Sequence, residues 1–319
     1  MLSRTANDLY WMSRHIERAE NTARMLDVTY RMSLLPYRLM EPGERWAEPW
    51  ALPLIINGLA TSYYQRYSEL TPEQVLHFMT LDASNGSSIY SSLQSARENA
   101  RAQRGALAIE MWENLNDTWL AIRNKSFAEV TERGVSPFFD WVKERSHLFR
   151  GVTFGTMMRD EAFSFIRLAT FLERADNTAR ILDVKYHTLL PSAHDVGGAV
   201  DYYQWSALLR SVSAFSLYRR IYRDAITPFR VAELLILRDD IPRSLHACLN
   251  EIYDILQGLC DEDRLEPERL AGEIHAMLHY GKTERIIDFG LHEWLLEFLE
   301  KIGALNGEVV KHFLVPVYE

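Results

Sequence analysis

The chain has 319 residues, a formal charge of −9, 47% apolar and 25% charged residues, and eight Trp, fifteen Tyr and fourteen Phe. That composition excludes disorder and describes a soluble globular protein with a large core and one or two domains. The acidic balance, with no long basic run, argues against a nucleic-acid backbone as the main partner.

The N-terminus lacks the apolar stretch of a secretory leader. No apolar run approaches the roughly 18 residues needed to span a bilayer. Cys248 and Cys260 stand alone, fitting neither a disulfide framework nor a zinc spacing. The expectation is a cytoplasmic protein whose cysteines are buried small residues.

In chain order, Leu9, Met12, Ile16, Ala19, Ala23, Leu26 and Tyr30 recur in steps of three and four, which predicts one face of an α-helix. Pro36 is its expected stop. A helical LPLIINGLATSYYQRY follows, then a helix start at Ser84–Asn85–Gly86. Next comes SSIYSSLQSARENARAQRGALAIEMWENLN. There Arg97, Arg101 and Arg104 form a stripe on one helical face. The stripe is either a seat for phosphate or carboxylate or a solvated face paired with Glu98 and Glu110. Gly151–Gly155 is the expected joint of the chain. Beyond it Phe165, Leu168, Leu172, Ala175, Ala179, Leu182 and Tyr186 predict a second long helix, stopped by Pro191. DYYQWSALLRSVSAFSLYRRIY follows, then a helix start at Asp239–Asp240 before Pro242, RSLHACLNEIYDILQGL and LHEWLLEFLEKIGAL. Loops read as short except Tyr37–Pro49 and Ser192–Val200. Trp112, Trp141 and Trp294 read as core anchors.

The two long helices share more than a seam. IERAENTARMLDV, Ile16 to Val28, returns as LERADNTARILDV, Leu172 to Val184. A shift of 156 residues superposes Glu17, Arg18, Ala19, Asn21, Thr22, Ala23, Arg24, Leu26, Asp27, Val28 and Tyr30 on identical residues. The match continues through Trp50/Trp205, Leu54/Leu209 and Tyr63/Tyr218 at an offset of 155, and through Ser88/Ser244 and Leu93/Leu249 at 156 again. We read an all-α chain of two tandem helical bundles, residues 1–150 and 151–319, packed as one body.

On a helical wheel the repeated polar letters fall on every side. Glu17, Asn21 and Arg24 share one side, Arg18 and Thr22 another, and Glu20 and Asp27 flank the seam. A water-facing surface tolerates exchange, so both polar faces are expected to meet protein or ligand. Seam alanines admit a close neighbour, and a charge near such a contact must be paired. Two readings stand. One is a structural ion-pair network between the copies. The other is a polar site between them, with carboxylates for proton transfer or metal and arginines for an anion.

Weaker signals point elsewhere. His275 and His279 share a helical face, but without HExxH or an evident carboxylate partner they read as a surface or core pair, and no metal is expected. Glu144–His147 is the lone Glu-x-x-His, short of a di-metal site. With no Gly-rich phosphate loop and no Ser-centred elbow, ATP activation by this chain is not expected.

The motifs ERAENTAR and ERADNTAR, with ARENAR, EMWENLN and GTMMRDEAFSFIRLATFLERADNTARILDVKY, resemble the Alpha-E family over nearly the whole chain. Asn85–Gly86–Ser87–Ser88 departs from the family's Asn-Pro-x-Ser, whereas Pro242 and Ser244 keep the Pro-x-Ser. The resemblance implies an all-helical protein encoded beside a circularly permuted ATP-grasp ligase and a transglutaminase-like protein, hence a system that makes or edits peptide or amide bonds. It names no cofactor.

Three functions follow. The first is a non-ATPase component binding an anionic substrate, such as a peptide or amino-acid-like anion, or the ligase itself. It would use Arg18, Asn21, Arg24, Arg174, Asn177 and Arg180 with the Arg97/Arg101/Arg104 stripe, while Glu17 and Glu173 orient the arginines. The second is an acyl- or peptidyl-transfer enzyme in which Glu17 or Glu173, with raised pKa, is the general base. The third is a structural adaptor.

Overall fold

A computed structural model describes residues 1–34, 49–132, 134–188, 198–260 and 265–315. Among them are sixteen α-helices and no strand. The first eight are α1 (Ser3–Ser33), α2 (Leu52–Ile56), α3 (Ala60–Tyr64), α4 (Pro72–Thr80), α5 (Ile89–Ala102), α6 (Ile109–Ile122), α7 (Phe127–Thr131) and α8 (Ser136–Thr156). The second eight are α9 (Glu161–Thr188), α10 (Ala199–Ser211), α11 (Phe215–Tyr222), α12 (Pro228–Ala232), α13 (Leu245–Leu259), α14 (Glu266–His279), α15 (Thr283–Phe289) and α16 (Leu291–Val309).

The same local chemistry starts matching helices in both sets. Thr71 and Thr227 each accept a hydrogen bond from the backbone two residues after a proline at the first helical position, where the missing N–H costs nothing. Ser88 and Ser244 cap α5 and α13 by accepting from Ser91 N and Ala247 N, satisfying one orphan N–H each. These serines correct the helix starts read at Ser84–Gly86 and Asp239–Asp240, which lie before the true caps. Tyr63 and Tyr218, both fully buried, donate to the carbonyls of Glu69 and Ala225.

α8 runs unbroken through Gly151 and Gly155, and the chain turns into α9 at Met157–Asp160. The expected joint is therefore helix. Pro36, Pro191 and most of the two long loops lie outside the described residues.

The seams behave as their spacing requires. Leu9, Met12, Ile16, Ala19, Ala23 and Leu26 are buried, as are Phe165, Leu168, Leu172, Ala175, Ala179 and Leu182. α1 packs on α5, α8 and α9, and α9 packs on α13 and α16. The two long helices run in the same sense. Ser13 bonds Thr170 at 2.8 Å, and one turn on Glu17 meets Arg174. One apolar cluster contains side chains from both sets, from Ala6 to Leu314, so the sixteen helices share a core. Cys248 and Cys260 are buried free thiols within it or at its edge. Trp112, Trp141 and Trp294 are only half-buried and pack on the core's margin.

Candidate functional site

At the centre the two repeated segments clasp each other reciprocally. Arg174 on α9 donates to Glu17 on α1 through Nε at 3.0 Å and Nη2 at 3.1 Å. Arg18 on α1 donates to Glu173 on α9 through Nε at 2.7 Å and Nη2 at 3.1 Å. Each Glu-Arg pair thus gives its carboxylate to one bidentate fork and its guanidinium to the other, the geometry that makes arginine the preferred buried partner of carboxylate. Arg14 adds a bond to Glu173 at 2.5 Å and reaches Asn306 at 2.8 Å.

The remaining repeated letters have matching partners. Arg24 pairs with Glu20, and Arg180 with Asp176, one turn apart on their own helices. Asp27 accepts from Ser136 at 3.0 Å, and Asp183 pairs with His292, the residue 156 positions after Ser136. Polar letters therefore recur all round the helix because each side touches protein.

Three groups outside the repeated letters enlarge the cluster on one side. Arg150 bonds Glu17 at 2.9 Å and also reaches Glu20. Arg243 bonds Glu20 at 2.6 Å, lies 3.1 Å from Glu17, and donates to Asn21 Oδ1 at 2.9 Å. Ser146 donates to Glu20 at 2.6 Å. Sequence comparison of the two halves is blind to these residues. The positions matching Arg14, Arg150 and Arg243 hold Thr170, Asn306 and Ser87.

The electrostatics decide what the carboxylates can do. Burial alone would raise the Glu173 pKa, but Arg14 and Arg18 outweigh it and bring it down to about 2. For Glu17 burial is likewise outweighed, here by Arg174, Arg243 and Arg150, and the shift is downward. Glu20 is lowered further by Arg243, His147, Arg150 and Arg24 against the same burial cost. A general base working near neutrality needs the opposite shift. The raised pKa expected of Glu17 or Glu173 is thus corrected: both shifts run downward, and both carboxylates, 1% and 7% exposed, are locked between arginines as anions at neutral pH.

Of the other expected site residues, Asn21 is buried, with Nδ2 lacking a partner among the described residues. Asn177 is half-buried, and Arg180 is exposed and held by Asp176. The Arg97/Arg101/Arg104 stripe turns onto protein groups. Arg97 and Arg104 stack over the Trp112 ring at 5.3 and 4.6 Å, and Arg97 and Arg101 pair with Glu98.

Arg24 leads from the clasp to an open chamber. Besides Glu20 it donates to Ser213 and contacts His147 at 3.1 Å. It then forms the wall of a cavity of about 770 Å³ between α1 and α8 on one side and α10 and α11 on the other. Among the described residues, Arg24, Arg31, Lys143, Arg210 and Arg219 line it, against the single carboxylate Asp27. Asp27 is already held by Arg31 and Lys143. Arg210 lies 4.1 Å from the Phe215 ring centroid, and among the described residues no carboxylate is within ion-pair reach of Arg210 or Arg219. Tyr202 and Tyr203 expose their rings beside them. In a chain of net charge −9, this is a local inversion of sign.

The sequence profile of Alpha-E, described as a predicted alpha-helical domain with a conserved ER motif, matches residues 1–314. The chain belongs to the Alpha-E family. In this Alpha-E protein Glu17–Arg18 and Glu173–Arg174 are both ER pairs, and each is half of the central clasp. Uncharacterized proteins of Mycobacterium bovis and Mycobacterium tuberculosis are 26% identical to it over 327 residues. The match takes in 96% of this chain but 36% of those proteins, so the chain spans about a third of the length of these relatives. No solved structure matches it. No described helix is long and apolar enough to cross a membrane.

Proposed function

We propose that this Alpha-E protein is a non-ATPase component of a peptide- or amide-bond-forming system and binds an anionic ligand, of the class of a peptide or amino-acid carboxylate, in the basic chamber beside the clasp. The observation carrying this reading is the chamber's charge: among the described residues, five cationic side chains face one carboxylate that is already neutralised. Such walls favour carboxylate or phosphate oxygens, and the cleft concentrates their field. The clasp then has a positioning role. Glu20 holds Arg24 at the chamber wall, and Glu17 and Glu173 hold the arginines that hold Glu20 and the two long helices together.

The family resemblance supplies the partners, a circularly permuted ATP-grasp ligase and a transglutaminase-like protein. The greater length of the mycobacterial relatives supports a unit that works beside other polypeptide. We also propose that the chain arose by duplication of one eight-helix unit, meeting its second copy at the Met157–Asp160 turn rather than at 150/151. The matching caps, tyrosines and reciprocal clasp support that reading.

The test is calorimetric titration of the tag-free chain with triglutamate and with inorganic phosphate. Arg210→Ala with Arg219→Ala is expected to weaken binding at least about tenfold, since a hydrogen bond to a charged group contributes about 1.5–3 kcal/mol. Arg97→Ala with Arg101→Ala should leave it unchanged. Equal binding by the chamber variant and the wild type would refute the assignment. Co-purification with the neighbouring ligase, followed by mass spectrometry of small molecules carried along, tests the partnership.

A further inference from the structure

Far from the clasp in sequence, three histidines of the second half converge. His246 lies in the first turn of α13, and His275 and His279 lie one turn apart near the end of α14. One ligand nitrogen from each lies within 4.8 Å of the others. The spacing of His275 and His279 alone gave no third ligand, because His246 is 29 residues away in sequence and arrives only through the packing of α13 on α14.

Hydrogen bonds orient two of the three rings. His246 Nδ1 sits 2.8 Å from the carbonyl oxygen of Leu237. A carbonyl only accepts, so Nδ1 carries the proton and Nε2 carries the lone pair. That Nε2 is buried and has no hydrogen-bond partner among the described residues, on a residue 6% exposed. A buried acceptor left unsatisfied is destabilising. His275 Nε2 is 2.9 Å from Asn250 Oδ1, which leaves the lone pair of that ring on Nδ1. Imidazoles whose far nitrogen is held by a carbonyl are the usual form of metal-ligating histidine. His279 is exposed and opens the group to solvent.

Packing does not require imidazoles here. In the first half the positions 156 residues earlier are Tyr90, Trp119 and Arg123. Tyr90 and Trp119 fill the place with an aromatic pair, ring centroids 5.1 Å apart. The second half has exchanged a satisfied apolar contact for three lone-pair donors, one of them buried and unpartnered.

We propose that His246, His275 and His279 form a site for a divalent transition metal of the Zn²⁺ class, with the fourth position open to solvent. Three nitrogen donors suit Zn²⁺, Co²⁺, Ni²⁺ or Cu²⁺ rather than Mg²⁺ or Ca²⁺. Tetrahedral ligands about 2.0–2.1 Å from the metal stand about 3.4 Å apart, so modest side-chain rotation, freest for exposed His279, closes the set.

The test titrates the EDTA-treated, tag-free full chain with Zn²⁺ by calorimetry and with Co²⁺ by visible absorption. One equivalent of Zn²⁺ per chain and the intense visible bands of four-coordinate Co²⁺ are expected. His279→Ala, an exposed change that spares the core, should weaken Zn²⁺ at least about tenfold, or 1.4 kcal/mol. Asn250→Ala should weaken it about 10–100-fold through the lost support of His275. His246→Tyr with His275→Trp restores the first half's aromatic pair and should fold without binding. Absence of stoichiometric Zn²⁺ uptake by the wild type, or unchanged affinity and Co²⁺ spectrum in His279→Ala, would overturn the proposal.

Discussion

Replacing Glu173 by Gln removes one carboxylate of the reciprocal clasp while keeping its shape. Arg14 and Arg18 then lose their shared anion, with side chains 11% and 25% exposed. Removing one partner of a buried pair typically costs about 3–5 kcal/mol, because the opposite charge stays buried. Partial exposure of Arg18 places the loss toward the lower end. At about 2 °C per kcal/mol for a chain of this size, a loss of about 3 kcal/mol lowers the melting temperature by about 6 °C. The pH dependence gives an independent check. The folded pKa of about 2 lies below the ordinary 4.5, so the stabilisation is fully present above pH 4.5 and is lost as pH falls toward 2. The difference corresponds to about 3 kcal/mol. The stability gap between wild type and Glu173→Gln should therefore narrow steadily below about pH 5. Urea titrations followed by circular dichroism at several pH values measure it. A variant within about 1 kcal/mol of wild type at pH 7, or a gap that stays constant from pH 5 to 3, would refute the clasp as a stabilising element.

Ser88→Ala and Ser244→Ala should each cost about 1 kcal/mol of stability in urea denaturation, by uncapping α5 and α13. Burial pushes the Cys248 thiol up to about 12, so at pH 8 an aromatic disulfide reagent should label it only after unfolding, as followed by absorbance. Arg101→Ala, 63% exposed and paired only with half-exposed Glu98, should shift the melting temperature by less than about 1 °C.

The sequence made the two long helices legible because a buried seam has a fixed period and because the Glu, Arg and Asp letters of the motif pair in both halves. Glu17, Arg18, Glu173 and Arg174 recur for a specific reason: a reciprocal clasp needs both letters on both helices. Residues that appear once were harder to read. Arg150 and Arg243 complete the cluster from α8 and from the turn before α13, yet their counterparts are Asn306 and Ser87, so the repeat gave no sign of them. The direction of the carboxyl pKa shifts depends on how many guanidinium groups converge on each oxygen, a quantity set by tertiary packing. The arginine stripe was visible, but Trp112, the ring it covers, sits on another helix, α6.

The chamber also fixes a stoichiometry. Two matching halves might be expected to present two ligand sites, one at each junction of a long helix with the opposite half. Three of the chamber's five cationic residues are not matched, however. Lys143 corresponds to Leu299 at the offset of 156, and in the segment where the offset is 155 Arg210 and Arg219 correspond to Ile55 and Tyr64. Ile55 and Tyr64 are exposed, 47% and 54%, so the second junction carries apolar and aromatic surface where the first carries guanidinium groups. Arg24 has Arg180 as its counterpart, but Arg180 is spent on Asp176 at the surface, whereas Arg24 reaches across to Ser213. An anion therefore has one favourable junction, and titration with triglutamate should saturate at one per chain, with Arg210→Ala plus Arg219→Ala weakening that single site at least about tenfold. Two equivalent sites, or a residual site of unchanged affinity in that variant, would show that the shared Arg24 and Arg180 positions govern binding and that the residues unique to α8, α10 and α11 do not.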